Sequence, residues 1–124
     1  MDDRELYERA VAVAERAYAP YSNFHVGAAV LARDGRVFLG VNVENAAYPL
    51  GVCAEKAALS RAVTDGCRPG DVEAIAITAS PCGGCRQWLH EWRFDRVWFR
   101  RADGSIAEYA ADDLLPDTCD LPEA

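Results

Sequence analysis

Cys53-Ala54-Glu55 and Pro81-Cys82-Gly83-Gly84-Cys85 are the two stretches whose residue types and spacing suit chemistry. Taken singly, each is weak. A C-x-x-C pair at a helix start serves as a redox motif or as half of a structural zinc site. A cysteine ahead of an Ala-rich helix is most often a small buried apolar side chain. The combination is more specific. Three thiols carried on two helix N-termini can converge, and both helix macrodipoles favour thiolate there. A structural zinc takes four protein ligands, whereas three leave one position open for water. Glu55, two residues past Cys53, cannot easily reach the same metal but can stand beside that water. Such a set is an arrangement for metal-activated hydrolysis. Cys67 and Cys119 read as ordinary side chains, and His25 and His90 lack metal-ligand spacing to the cysteines.

Those residues need two helices delivered to one place, and the rest of the sequence supplies a frame for them. Leu6, Ala10, Val13, Ala14 and Ala17 share one helical face, with Asp2 or Asp3 as cap and Pro20 as the expected stop. Extended segments at 24–32 and 36–42 flank Asp34-Gly35, a strong hairpin signal that predicts a tight turn with both positions at positive φ. A loop over 44–52 leads into a helix from 54 to 65, ended by Gly66. A strand over 73–79, a helix over 84–92, strands at 96–101 and 106–110 around Asp103-Gly104, and a helical turn near 112–115 complete the pattern. Alternating helices and strands predict an α/β fold, a three-layer α/β/α sandwich around one five-stranded mixed sheet. The last connection is too short for a parallel crossover, so the final two strands are expected to be antiparallel.

Composition sets outer limits. The 124 residues fit a single domain, with 117–124 polar and Pro-containing as an expected tail, and 51% hydrophobic residues suffice for a core. The net charge of −7, with Lys56 as the sole lysine, disfavours a polynucleotide partner. Apolar runs fall far short of a membrane span. The opening Met1-Asp2-Asp3-Arg4-Glu5 is the opposite of a signal peptide's basic start, and an odd cysteine count argues against a disulfide framework. A cytoplasmic protein with no membrane and no nucleic-acid partner is expected.

Longer stretches carry a resemblance. Residues 19–29 (APYSNFHVGAA), residues 40–48 (GVNVENAAY), PCGGCRQ from Pro81 to Gln87, and Leu114-Leu115-Pro116 resemble the cytidine deaminase family, in its small homotetrameric zinc-dependent branch. The zinc-deaminase signature pairs a glutamate after the first ligand with a later P-C-x-x-C. The resemblance implies hydrolytic deamination of cytidine or deoxycytidine at C4 by a zinc-bound hydroxide. Cys53, Cys82 and Cys85 would ligate Zn2+, and Glu55 would shuttle protons. Asn42 and Glu44 would hold the ribose and Phe24 would pack on the base. Ala54, Ser80 and Pro81 would help hold the ring and its amino group. Ala46 and Tyr48 would meet the sugar of a neighbouring subunit's site, making the homotetramer part of the active site.

Three departures accompany the match. Lys56 stands where the family usually has Arg, which offsets thiolate charge, so Arg86 is expected to carry more of that compensation alongside Lys56. Residues 78–80 run directly into Pro81, where the family has a longer loop, and Cys119 falls where a base-stacking aromatic is usual. Both leave the chemistry in place and open a second substrate class, a modified cytosine nucleoside of the secondary-metabolism or antibiotic-inactivating type. Two further readings compete. One is a non-catalytic zinc module closed by Cys67 or Cys119, which would not need Glu55, Asn42 or Glu44. The other is a deaminase of bases within DNA or RNA, disfavoured by Cys53 as first ligand and by the acidic balance.

Overall fold

A computed structural model describes residues 1–120; positions 121–124 of the expected tail lie outside the described residues. The chain runs α1 (Asp3–Ala14), β1 (Gly27–Ala32), β2 (Val37–Val41), a 3-10 turn (Tyr48–Leu50), α2 (Ala54–Thr64), β3 (Val72–Ile77), α3 (Gly83–Trp92), β4 (Arg96–Arg100), β5 (Ile106–Tyr109) and a second 3-10 turn (Ala111–Leu114). The five strands form one sheet in the order β2-β1-β3-β4-β5. Only β3 and β4 pair in parallel, joined through α3, and β4 and β5 are antiparallel as the short connection required.

Why helices cover both faces follows from β1 and β3, which are buried along nearly their whole length. Their alternate side chains face opposite ways. Ala29, Leu31, Ala74 and Ala76 meet Leu6 and Ala10 of α1. Ala28, Val30, Ile75 and Ile77 meet Ala54, Ala58 and Leu59 of α2 and Leu89 and Trp92 of α3, together with Val97 and Phe99 of β4. The result is the expected three-layer sandwich. Each fully buried Leu or Ile contributes about 1.5–3 kcal/mol. The alanines contribute differently, by letting helix backbones come close to the sheet. On the α2 side this approach is tight at Gly40, where an added Cβ would stand 2.3 Å from the Ala58 nitrogen and 2.5 Å from the carbonyl oxygen of Ala54. This contact sets α2, and with it Cys53 and Glu55, hard against β2.

Several boundaries differ from expectation for tertiary reasons. Helix α1 ends at Ala14, short of Ala17 and Pro20. The chain leaves it through bonds from Arg16 N to Val13 O and Ala17 N to Ala14 O, and Tyr18 then pairs with the continuation of β2, its N–H donating to Asn42 O at 3.1 Å. Strand β1 begins at Gly27, not Phe24: one backbone bond continues beyond it, Asn42 N donating to Val26 O at 3.3 Å, while the Asn42 side chain takes Val26 N and Phe24 O. The Asp-Gly hairpins are not two-residue turns. Only Gly35 (φ 94°) and Gly104 (φ 90°) adopt positive φ there, Gly35 N bonds Ala32 O, and Gly104 N bonds Arg101 O. Both are three-residue loops with the glycine in a bulge, and Asp34 and Asp103 accept from the following Arg36 and Ser105 amides. The 44–52 loop contains the first 3-10 turn and closes through a Val43–Val52 bridge.

Residues 117–120 lie against α3. Gln87 Nε2 donates to Cys119 O at 3.2 Å, and His90 sits between two carboxylates, Nδ1 3.0 Å from Asp112 and Nε2 2.7 Å from Asp120. Those carboxylates raise the His90 pKa, Asp120 most.

Two outcomes follow. Gly40→Ala is expected to lower stability by at least about 2 kcal/mol, read as a fall in the urea midpoint, because helix backbone cannot move aside as a flexible side chain does. A histidine whose folded pKa lies above its unfolded value stabilises fully below about pH 6.5 and loses that contribution as pH rises through the folded value. Amides at 118–120 are therefore expected to exchange faster relative to the intrinsic rate between about pH 6 and pH 9, and His90→Gln should flatten that dependence.

Candidate metal centre

The first turns of α2 and α3 build the site. Cys53 is the N-cap of α2 and Cys82 the N-cap of α3, both with extended backbone, and Cys85 sits in the first turn of α3. The Cys82 sulfur takes the place of a capping oxygen, accepting from Cys85 N at 3.4 Å. All three Sγ atoms lie within 4.8 Å of one another, with Cys53 and Cys82 4.0 Å apart. Tetrahedral zinc with Zn–S near 2.3 Å sets its sulfurs about 3.8 Å apart, so the spacing fits that ion. Cys85 is buried, Cys53 half-buried and Cys82 exposed, which leaves one side of the cluster accessible. Among the described residues the cluster comprises these three alone. Cys67 lies elsewhere, its sulfur accepting from Arg36, and Cys119 faces Gln87 through its carbonyl. Neither closes the cluster as a fourth ligand.

Electrostatics agree with a cation. Burial pushes the Cys53 thiol up, and burial with the Glu55 carboxylate pushes Cys85 far above the thiol range. Partial burial opposes ionisation of Cys82 too, but the Cys85 amide and the other two thiols carry it below its ordinary value. Three thiolates this close repel one another until a divalent ion joins them. Glu55, the second residue of α2, is only 4% exposed. Burial raises its pKa, countered by its own backbone N–H, the Cys85 thiol and the Lys56 ammonium.

Neither expected charge-compensating cation bonds these three sulfurs. Lys56 Nζ lies 5.9 Å from the Trp88 ring centroid, and a Cβ at Gly84 would be 3.9 Å from it. The ammonium thus lies over the start of α3. Arg86 donates to Pro81 O at 2.9 Å, Leu114 O at 3.2 Å and Ser80 Oγ at 3.4 Å, tying the loop before α3 to the second 3-10 turn.

Beside Cys53 a cavity of about 190 Å³ is lined by Asn42, Glu44 and Tyr48 among others. Phe24 and Ser80 open instead onto a groove of about 510 Å³ with Arg100, Arg101 and Asp103, which none of the three cysteines lines. The smaller cavity adjoins the chemistry. Ala54 is fully buried, Pro81 is buried, and Ala46 is exposed on the loop outside both cavities. Asn42 and Glu44 are not free side chains. Asn42 Oδ1 accepts from Val26 N and its Nδ2 donates to Phe24 O, each at 2.8 Å. Glu44 Oε1 accepts from the amides of Tyr21 (2.9 Å) and Ser22 (3.1 Å), and Oε2 accepts from the Ser22 hydroxyl. The serine hydroxyl and amide hold the Glu44 carboxyl below its usual range. Ser22 bonds both Glu44 and Phe24, and its signal in the sequence is a serine two residues before Phe24, the spacing of a side-chain-closed turn. The Oγ1 of buried Thr78 caps the start of β1 by accepting from Gly27 N.

The chain matches, over residues 1–101, a family model for the zinc-binding region of cytidine and deoxycytidylate deaminases. It is 44% identical over 124 residues to a cytidine deaminase of Halalkalibacterium halodurans, across 94% of this chain and 92% of that protein. With a cytidine deaminase of Mycobacterium tuberculosis the identity is 38% over 129 residues, across 99% and 93%. The crystal structure of a cytidine deaminase from Burkholderia pseudomallei matches with a TM-score of 0.89 at 45% identity, covering 96% of this chain and all of that one.

Elemental analysis of purified protein is expected to find about one zinc per chain. Cys85→Ala should weaken zinc binding at least about tenfold in a chelator competition, while Cys119→Ser leaves it unchanged. Equal loss in both variants would contradict a three-thiol site.

Proposed function

The chain belongs to the cytidine and deoxycytidylate deaminase family, and from that premise we propose that it hydrolyses cytidine and deoxycytidine to uridine and deoxyuridine, releasing ammonia. The observation that carries the reading is the buried carboxyl of Glu55, two residues after the N-cap Cys53 of α2, beside three thiols spaced for zinc. A non-catalytic metal module has no use for a buried acid there.

Cys53, Cys82 and Cys85 would hold the zinc, which would supply Lewis-acid activation of water. Glu55 would take one proton from the attacking water and deliver it to ring N3 as the water oxygen bonds C4, then carry the second proton from the new C4 hydroxyl to the amino group, so that C4=O forms as the C4–N bond breaks and ammonia leaves. Such a shuttle must accept and release a proton within one cycle. Burial favours the protonated form of Glu55, while its place in the first turn of α2 favours the ionised one. Cys53, Ala54, Ser80 and Pro81 hold the ring and amino group, Phe24 packs on the base, and Asn42 and Glu44 take the ribose. Lys56 and Arg86 offset thiolate charge through the local field, without touching sulfur.

The proposal includes a homotetramer in which Ala46 and Tyr48 reach a neighbour's sugar site. Its support is the exposure of Tyr48 (74%), Leu50 (70%) and Phe24 (60%), apolar groups that water leaves unsatisfied. A cytoplasmic setting for a role in pyrimidine salvage accords with thiol ligands that must stay reduced. A modified cytosine nucleoside is the second reading. The groove beside Phe24 and Ser80 favours it, with room for a substituent.

An ultraviolet assay of zinc-loaded protein on cytidine, deoxycytidine, free cytosine, adenosine and modified cytosine nucleosides tests the proposal. Cytidine and deoxycytidine are expected to be turned over, and Glu55→Gln to keep its zinc while losing about 10²–10⁴-fold in kcat. Full activity in that variant, or no turnover of any pyrimidine nucleoside, would overturn it.

A further inference from the structure

We propose that Ser22 is a positioning residue for the nucleoside site, its hydroxyl joining the carboxylate of Glu44 to the backbone of Phe24. The proposal rests on the reading that Glu44 meets the sugar and Phe24 the base.

The Ser22 hydroxyl donates to Glu44 Oε2 and accepts from Phe24 N at 3.0 Å, so one oxygen bonds both groups. Around it the segment is tied down at every step. The Tyr21 and Ser22 amides bind Glu44 Oε1, and Asn23 adopts φ 58°, a conformation that asparagine tolerates. The peptide groups of Phe24 are clamped from two sides, its N–H by Ser22 and its C=O by Asn42. Phe24 itself is 60% exposed, so packing does not fix its ring. Its direction comes from these polar bonds.

Glu44 shows why the hydroxyl matters for a ligand. An ionised carboxylate offers about four acceptor sites. Three are taken by the 21–22 segment, two on Oε1 and one on Oε2. The remaining site lies on Oε2, the oxygen that Ser22 holds. A sugar hydroxyl donating there meets an acceptor already oriented, and less freedom is lost on binding. Without the serine hydroxyl, Oε2 turns to water and Phe24 N loses its partner. Ser22 is exposed, so solvent satisfies both groups and the core is untouched. The effect should appear in nucleoside binding and not in the proton transfers at Glu55.

The test is steady-state kinetics on the zinc-loaded enzyme with cytidine, with thermal midpoints measured alongside. Ser22→Ala is expected to raise KM about tenfold while kcat stays within about twofold; Ser22→Thr, which keeps the hydroxyl, should restore most of the KM. In a Glu44→Ala background the same Ser22→Ala change should have little further effect, because the group it orients is gone. Ser22→Gly removes the hydroxyl equally and reads the same quantity if the alanine variant does not fold. An unchanged KM, a fall in kcat without a rise in KM, no rescue by threonine, or additive losses with Glu44→Ala would each overturn the proposal while leaving the deaminase reading standing. A wild-type enzyme inactive on every pyrimidine nucleoside would overturn both.

Discussion

Three thiols and a carboxyl confined beside two helix N-termini form a group that no arrangement of apolar packing favours by itself. Like charges 4.0 Å apart repel strongly in a partly dry site. Two features make the cluster tolerable: the positive ends of α2 and α3, and room for a divalent cation between the sulfurs. Much of the molecule serves to hold those two helix ends together. The parallel β3–α3–β4 crossover delivers one of them, and the close passage of β2 along the backbone of α2 delivers the other. Gly40 is the narrowest point of that second contact, far in sequence from the P-C-x-x-C motif it helps to serve.

A second constraint concerns residues with two tasks. Asn42 and Glu44 lie where β2 gives way to loop, and each bonds the backbone of the 21–26 segment. Asn42 bonds this segment three times, its backbone N–H to Val26 O and its side chain as acceptor from Val26 N and donor to Phe24 O. Side chains built in this way are held in place by their own hydrogen bonds. The same bonds restrict what they can still offer to any ligand.

The arginines of this acidic chain are largely occupied by structure. Arg33 forms a bidentate pair with Asp95, Arg96 joins Asp3 to Glu73, and Arg86 ties two carbonyls and Ser80. The planar fork of Arg86 is matched to oxygen acceptors on two loops. Lys56 has a single ammonium and lies along the Trp88 face. Neither cation bonds a cluster sulfur, so any effect of theirs on the centre acts through space, beside the dipoles of α2 and α3.

Residue order alone determined the element sequence, the three-layer α/β arrangement, the antiparallel last pair and the trio of cysteines with Glu55. These depend on short-range patterns: hydrophobic periodicity, helix caps, turn glycines and motif spacing. Tertiary structure decided the rest. Helix α1 stops at Ala14 because Tyr18 is recruited to pair beyond β2, and β1 starts late because the Asn42 side chain takes Val26 N and Phe24 O. Both Asp-Gly turns take the bulged form, as the hydrogen-bond registers Ala32–Arg36 and Arg101–Ser105 demand. Ser22 acquires its place only when residues 22 apart in sequence are folded together. Local propensity cannot report a partner that distant; hydrogen bonds across the fold can, because every buried or positioned polar group must find one.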